Sequence, residues 1–148
     1  MANKLNDDFQ EFLSGFEAGT RDFLNGNVAR WKQNASKSDD AVIMGAWGAY
    51  ELGWPAVSKR YDWAGSRFRA NGAGSFQVEY LSTGVSGDLA YTVAIERSNV
   101  KLAGHDAVAP MTLRVTHLFR REDGSWKLIV RHADPLMEKT APTDVLGR

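Results

Sequence analysis

The side chains best suited to chemistry stand near the C-terminal end: His117, His132 and Asp134. A histidine titrates near neutrality, and a neighbouring carboxylate can orient its ring and raise its basicity, so this group suits general acid–base work. His132 and Asp134 are two residues apart, which in a strand puts both on one face. The same residue types also serve as ligand contacts or as hydrogen-bonded core groups, and spacing does not choose among the three roles. With Glu96 they carry the donor types of a facial metal set. No HxH or HExxH spacing backs that set, so neither a metal nor a cofactor is expected. His105 falls in a loop and reads as solvated.

The element that must position these groups runs from Met111 to Leu136, MTLRVTHLFRREDGSWKLIVRHADPL. Asp123-Gly124 between two β-rich runs predicts a hairpin with a tight turn. In the first arm Met111, Leu113, Val115, His117 and Phe119 make the apolar face. In the second, Trp126, Leu128, Val130, His132 and Asp134 do so. Pairing Glu122 with Ser125 lays both apolar faces on one side, with His117 opposite Val130 and His132 opposite Val115. The two histidines are then diagonal neighbours on the core face, roughly 7 Å apart. A core face that turns polar at one end is the sequence signature of a half-open pocket.

Composition narrows the class. A chain of 148 residues fits one domain, read as residues 1–148 with a core over about 5–136 and a polar tail over 138–148. Formal net charge is zero, and no basic cluster argues for nucleic acid. Cysteine is absent, which excludes disulfides and thiolate zinc sites. No apolar run is long enough for a membrane span, and the start lacks an apolar signal core, so a cytoplasmic location is expected.

Residues 6–24 read as a first helix with Phe9, Phe12, Leu13, Phe16 and Phe23 at helical spacing, capped by Asn6 or Asp7. A short helix over 28–34 carries Trp31, and residues 41–44 form a short buried strand. The glycine- and aromatic-rich stretch from Gly45 to Gly53 reads as a pocket-rim loop bearing Trp47 and Tyr50. Trp54-Pro55 opens a third helix to about residue 70, with Val57, Tyr61, Ala64 and Phe68 inward, stopped by Asn71-Gly72-Ala73-Gly74. Residues 76–81 and 89–100 are strands joined by a turn over 83–87. Pairing Ser82 with Asp88 places Phe76, Val78 and Tyr80 on one face with Ala94 and Glu96. The expected fold is α+β: three N-terminal helices packed on a strongly curved antiparallel sheet that encloses a pocket. Tyr91, Val93, Ile95, Leu118 and Ile129 would lie on the outer face. That face is too apolar for idle solvent exposure, so a homodimer through the sheet back is expected. Arg97, Arg114 and Arg131 read as charges on the same back or its edge.

The helical start with Phe9, Phe12 and Phe16, the strand AVIMG, the segment GDLAYTVAIER and above all LRVTHLFRREDGSWKLIVRHADPL resemble the SnoaL-like branch of the nuclear transport factor 2-like superfamily. The resemblance implies a cone-shaped fold around one deep cavity, commonly dimeric through its sheet. It spans isomerases, dehydratases, polyketide cyclases, epoxide hydrolases and kinase association domains, so it does not fix an activity. A ketosteroid isomerase would need a carboxylate after the first strand, where this chain reads Met44-Gly45-Ala46-Trp47. It would also need a tyrosine from the first helix, where the inward residues are Phe12 and Phe16. The Asp-Arg-Asp set of the epoxide hydrolases has no counterpart here. The expected function is binding of a small apolar or aromatic molecule, with Trp47, Tyr50, Trp31, Tyr61 and Glu96 as ligand contacts. The alternative is a cofactor-free isomerase, dehydratase or cyclase using His117, His132 and Asp134 as acid and base. An oligomerising association domain is the third reading. No nucleic acid and no membrane are expected as partners.

Overall fold

The computed structural model describes residues 4–71 and 75–147, and the side chains of 4–6 are not described. The Asn6 cap and residues 72–74 of the expected helix stop therefore lie outside the described part. The chain folds as α1 (Lys4–Leu24), α2 (Ala29–Gln33), β1 (Val42–Met44), β2 (Glu51–Leu52), α3 (Trp54–Ser66), β3 (Phe68–Arg69), β4 (Phe76–Ser86), β5 (Leu89–Leu102), β6 (Ala109–Glu122) and β7 (Ser125–Pro135). A single 3-10 turn over Pro142–Val145 lies in the exposed tail. The helices sit inside a strongly curled sheet of order β2-β1-β7-β6-β5-β3, with β4 also pairing β5.

The sheet is mixed rather than wholly antiparallel. β1 runs parallel to β7, pairing Val42 with Val130 and Met44 with His132, and every other named strand pair is antiparallel. The connection between β1 and β7 runs through β2, α3 and β3 to β6, far longer than the dozen or so residues a parallel pair requires. β2 lies within the stretch expected to be a rim loop. Phe68, expected in α3, instead starts β3 opposite Leu102.

The main hairpin turns where expected. Asp123 and Gly124 both take positive φ, 49° and 81°, the geometry of a type I′ turn that matches strand twist. The register is uniform from Glu122–Ser125 to Phe119–Leu128 and then breaks: Leu118 pairs Val130, leaving Ile129 unopposed. Because side chains alternate faces, one extra residue moves everything beyond it to the other side. His117 consequently pairs Arg131, not Val130, and His132 pairs Thr116, not Val115. The bulge sits where the other edge of β7 changes partner. Leu128 exchanges hydrogen bonds of 2.8 Å with Asn34 and Ser36, whereas β1 takes over from Val130 onward.

A second bulge occurs in β4 at Leu81, between the pairs Tyr80–Ala94 and Ser82–Val93. The β4–β5 turn is tighter than expected, with Ser86 pairing Leu89 and Gly87 at φ 58°. The bulge compensates for the displaced turn, so Phe76, Val78 and Tyr80 still share a face with Ala94 and Glu96.

The core is aromatic. Phe119 is fully buried, with ring centroids 5.3 to 5.4 Å from Phe9, Phe12 and Phe16 in edge-on contacts. Phe9 also meets Trp126, and Phe16 meets Trp31 at 4.7 Å. These rings fix α1 and α2 against the closed end of the cone, and such pairs add about 1 kcal/mol each beyond burial. The loop over 36–40 is tied to the hairpin by Arg120, which donates to Asp40, Glu122 and Ser38. That guanidinium holds the Asp40 carboxyl well below the usual carboxylate range, with the Ser38 hydroxyl adding to the effect.

Candidate functional site

A cavity of about 90 Å³ lies between α1, α3 and the inner face of the sheet. Its walls are mainly aromatic and aliphatic, including Trp31, Tyr61, Phe68, Phe76 and Ile43. α2 supplies Trp31, and α3 supplies Tyr61, both almost fully buried. Trp47 closes one side from the loop after β1. It is partly exposed, tilted against Phe68 at 5.3 Å and edge-on to Trp63 at 5.5 Å. Gly48 and Ala49 shape that loop with positive φ of 94° and 55°.

Glu96 on β5 and Arg131 on β7 bring charge into this apolar chamber. Arg131 donates from Nη2 to Glu96 Oε1 at 3.3 Å and from Nη1 to Glu96 Oε2 at 3.5 Å. Its Nη1 also lies 2.8 Å from His117 Nε2. Burial, reinforced by the Arg131 charge, holds the His117 pKa well below its ordinary value. The ring is therefore neutral, with Nε2 accepting from the guanidinium and the proton on Nδ1. Arg131 also stacks over Trp31, 5.4 Å from the ring centroid. Burial pushes the Tyr61 hydroxyl pKa up, against the opposing influence of the Trp31 indole and the Arg131 charge. Glu96 and His117 also flank a small void of about 10 Å³ that reaches Tyr80 and Glu17.

Four of the expected ligand contacts, Trp31, Trp47, Tyr61 and Glu96, line the cavity. Tyr50 does not; it is exposed to solvent. The expected polar floor of His117, His132 and Asp134 is not assembled. His117 stands on the inner face behind Arg131. The Ile129 bulge turns His132 and Asp134 to the outer face, where His132 Nε2 is 3.6 Å from Asp134 and Arg114 is 3.5 Å from the same carboxylate. Met44, opposite His132 on β1, marks the same position in the ladder.

Arg131, expected on the back or edge of the sheet, is the residue that the bulge brings inward. Arg97 and Arg114 do lie outside, paired with Glu79 and Asp134. The readable signal for the bulge was Leu128-Ile129-Val130, three apolar residues that interrupt the alternation of β7. Arg60 at the cavity wall was also missed, because its place on α3 follows the helix's approach to the Trp47 loop. Among the described residues no group of three or more metal-ligating side chains converges, and no helix is long and apolar enough to cross a membrane.

Comparison with known proteins places this geometry in context. The SnoaL-like domain family matches residues 15–137. None of the curated proteins matches in sequence. Solved structures of similar fold include a ketosteroid isomerase-like protein from Erwinia carotovora atroseptica. Its TM-score is 0.74 at 14% identity, covering 92% of this chain and 99% of that one. A nuclear transport factor 2-like superfamily protein from Salmonella enterica serovar Typhimurium has a TM-score of 0.75 at 14% identity, covering 93% and 97%. A candidate dehydratase of that family from Streptomyces avermitilis has a TM-score of 0.70 at 15% identity, covering 89% and 99%. At these identities the likeness establishes a shared fold.

Proposed function

Because the chain belongs to the SnoaL-like domain family, we propose that it binds a small, largely apolar organic molecule in the cone. Trp31, Tyr61 and Trp47 form the walls, and the Glu96–Arg131 pair forms the polar floor. The observation that carries this reading is the ion pair itself, nearly buried yet opening on an apolar cavity. Well-packed apolar residues would stabilise a core at least as well as a buried ion pair does. Convergent polar groups in a concave apolar chamber are instead the usual form of a ligand site.

Native mass spectrometry of freshly purified protein tests the proposal. Wild type should carry an organic adduct, or take one up from a fragment mixture. Ala64→Phe, which fills the cavity from α3, should remove the adduct while the protein remains folded. Retention of the same adduct in Ala64→Phe would overturn the assignment to this cavity.

A cofactor-free isomerase, dehydratase or cyclase is the second reading, supported by the Glu96 carboxylate facing the cavity. In that case Glu96→Gln abolishes turnover while ligand binding survives, since an amide cannot accept the proton. We also propose a homodimer through the sheet back, supported by the exposed Tyr91, Leu89, Leu81 and Leu118. Leu118→Arg should convert a dimer to a monomer by light scattering; a wild-type monomer would remove the idea.

A further inference from the structure

We propose that the cavity selects a compact organic monocarboxylate, its acid group held by Arg131, its apolar body against Trp31, Tyr61 and Phe68. The inference rests on the binding reading above and adds the charge of the ligand.

The donors and acceptors of the cavity do not balance. Two cationic side chains, Arg60 and Arg131, line it against one carboxylate, Glu96. Arg60 has no acidic partner among the described residues; it stacks 4.0 Å over Trp63 and donates to the Trp47 carbonyl at 3.5 Å. The formal charge of the chamber is therefore positive by one. Trp31 Nε1 is buried, and its N–H is directed at the Tyr61 hydroxyl, which leaves Arg131 as the anchoring donor.

Arg131 has capacity to spare. Its contacts with Glu96, 3.3 and 3.5 Å, are longer than the 2.7–2.9 Å of a contracted charge-assisted bond. Its Nε–H donates to no acceptor among the described residues. His117 holds the guanidinium in place at 2.8 Å but brings no charge of its own, because its ring is neutral. A guanidinium fixed in orientation and loosely matched by its own carboxylate suits a planar carboxylate. The small volume restricts the rest of the molecule to a compact apolar body, of which a single ring at the Trp47 side is an example.

Ligand-observed NMR and calorimetry with benzoate, benzamide and benzylamine test this on the intact protein. The three share a skeleton and differ in charge at one group. Benzoate should bind on the order of tenfold more tightly than benzamide, and benzylamine should not bind. Glu96→Gln removes the competing carboxylate and should tighten benzoate, and raise its affinity relative to benzamide, severalfold. The double variant Glu96→Gln with Arg131→Gln removes the anchor and leaves Arg60, stacked on Trp63, as the charged lining group, and it should erase the preference for benzoate. Equal affinity for benzoate and benzamide, or weaker benzoate binding in Glu96→Gln, would overturn the charge assignment and leave the cavity-binding reading standing. If none of the three binds at millimolar concentration, the carboxylate proposal fails. If Ala64→Phe also leaves the native adduct in place, the binding reading fails with it.

Discussion

Arg131 Nη1 lies 2.8 Å from His117 Nε2, although an unbroken hairpin register would put these residues on opposite faces of the sheet. The contact exists because Ile129 is the unopposed residue of a β-bulge. A neutral His117, a charged Arg131 and the Glu96 carboxylate thus form one buried chain across three strands.

Removal of one charge should expose how that chain is balanced. Arg131→Met leaves Glu96 buried without its partner and should destabilise the fold by about 3–5 kcal/mol. Adding Glu96→Gln should recover most of the loss. Urea denaturation of the two single variants and the double variant measures the coupling. Strict additivity would show that the pair does not act as a unit.

Acid should weaken the fold through His117. Its folded pKa is depressed by burial and by the Arg131 charge. The unfolded chain, with a pKa near 6.5, therefore binds the proton first as pH falls. The His117 contribution is fully present above that value and is lost progressively below it, down to the depressed folded pKa. The urea midpoint should decline between pH 7.5 and 5, and His117→Gln should reduce that slope. An unchanged slope in His117→Gln would assign the acid sensitivity to other groups.

Deletion of Ile129 removes the bulge and restores one continuous register. Val130 then follows Leu128 directly, so the Leu118–Val130 and His117–Arg131 pairs persist, with Arg131 inward and His132 and Asp134 outward. The Glu96–Arg131 pair is retained, so the loss should stay within the roughly 0.5–3 kcal/mol of an ordinary single change. Thermal melting followed by circular dichroism decides this. A loss beyond that range would show that the bulge itself is needed where β7 passes from residues 34–36 to β1.

The approach of α3 to the segment before α2 rests on Gly65. A Cβ there would clash with Val28 Cγ1. Gly65→Ala should cost about 1–3 kcal/mol from overpacking, despite the better helix propensity of alanine. Val28→Ala in the same chain should relieve the clash. Failure of this second change to restore stability would place the strain elsewhere.

Much of this organisation was legible from residue order. The Phe9, Phe12 and Phe16 spacing marks the buried stripe of α1, and Asp123-Gly124 fixes the hairpin turn. The even-numbered face of β5 carries Glu96 inward beside Ala94 and Thr92. Trp31 and Tyr61 are apolar-face residues of helices, so they had to meet the sheet. Strict alternation could not show the residues on which β7 changes face. Leu128, Ile129 and Val130 are each compatible with either side. Tyr50 was misleading because its glycine-rich setting fits an exposed rim as well as a cavity wall.

The sequence by itself determined the periodicities: three helices, the long strands, their apolar faces and the turn that folds the main hairpin back. These follow from local sterics and from the pairing of side chains with a period of 3.6 or 2. Tertiary structure alone decided which polar residues of β7 reach the cavity. β7 bonds to β6 on one edge, and to residues 34–36 and then β1 on the other. Meeting both edges of a curled sheet places the extra residue at Ile129, and that one residue exchanges His132 and Asp134 for Arg131.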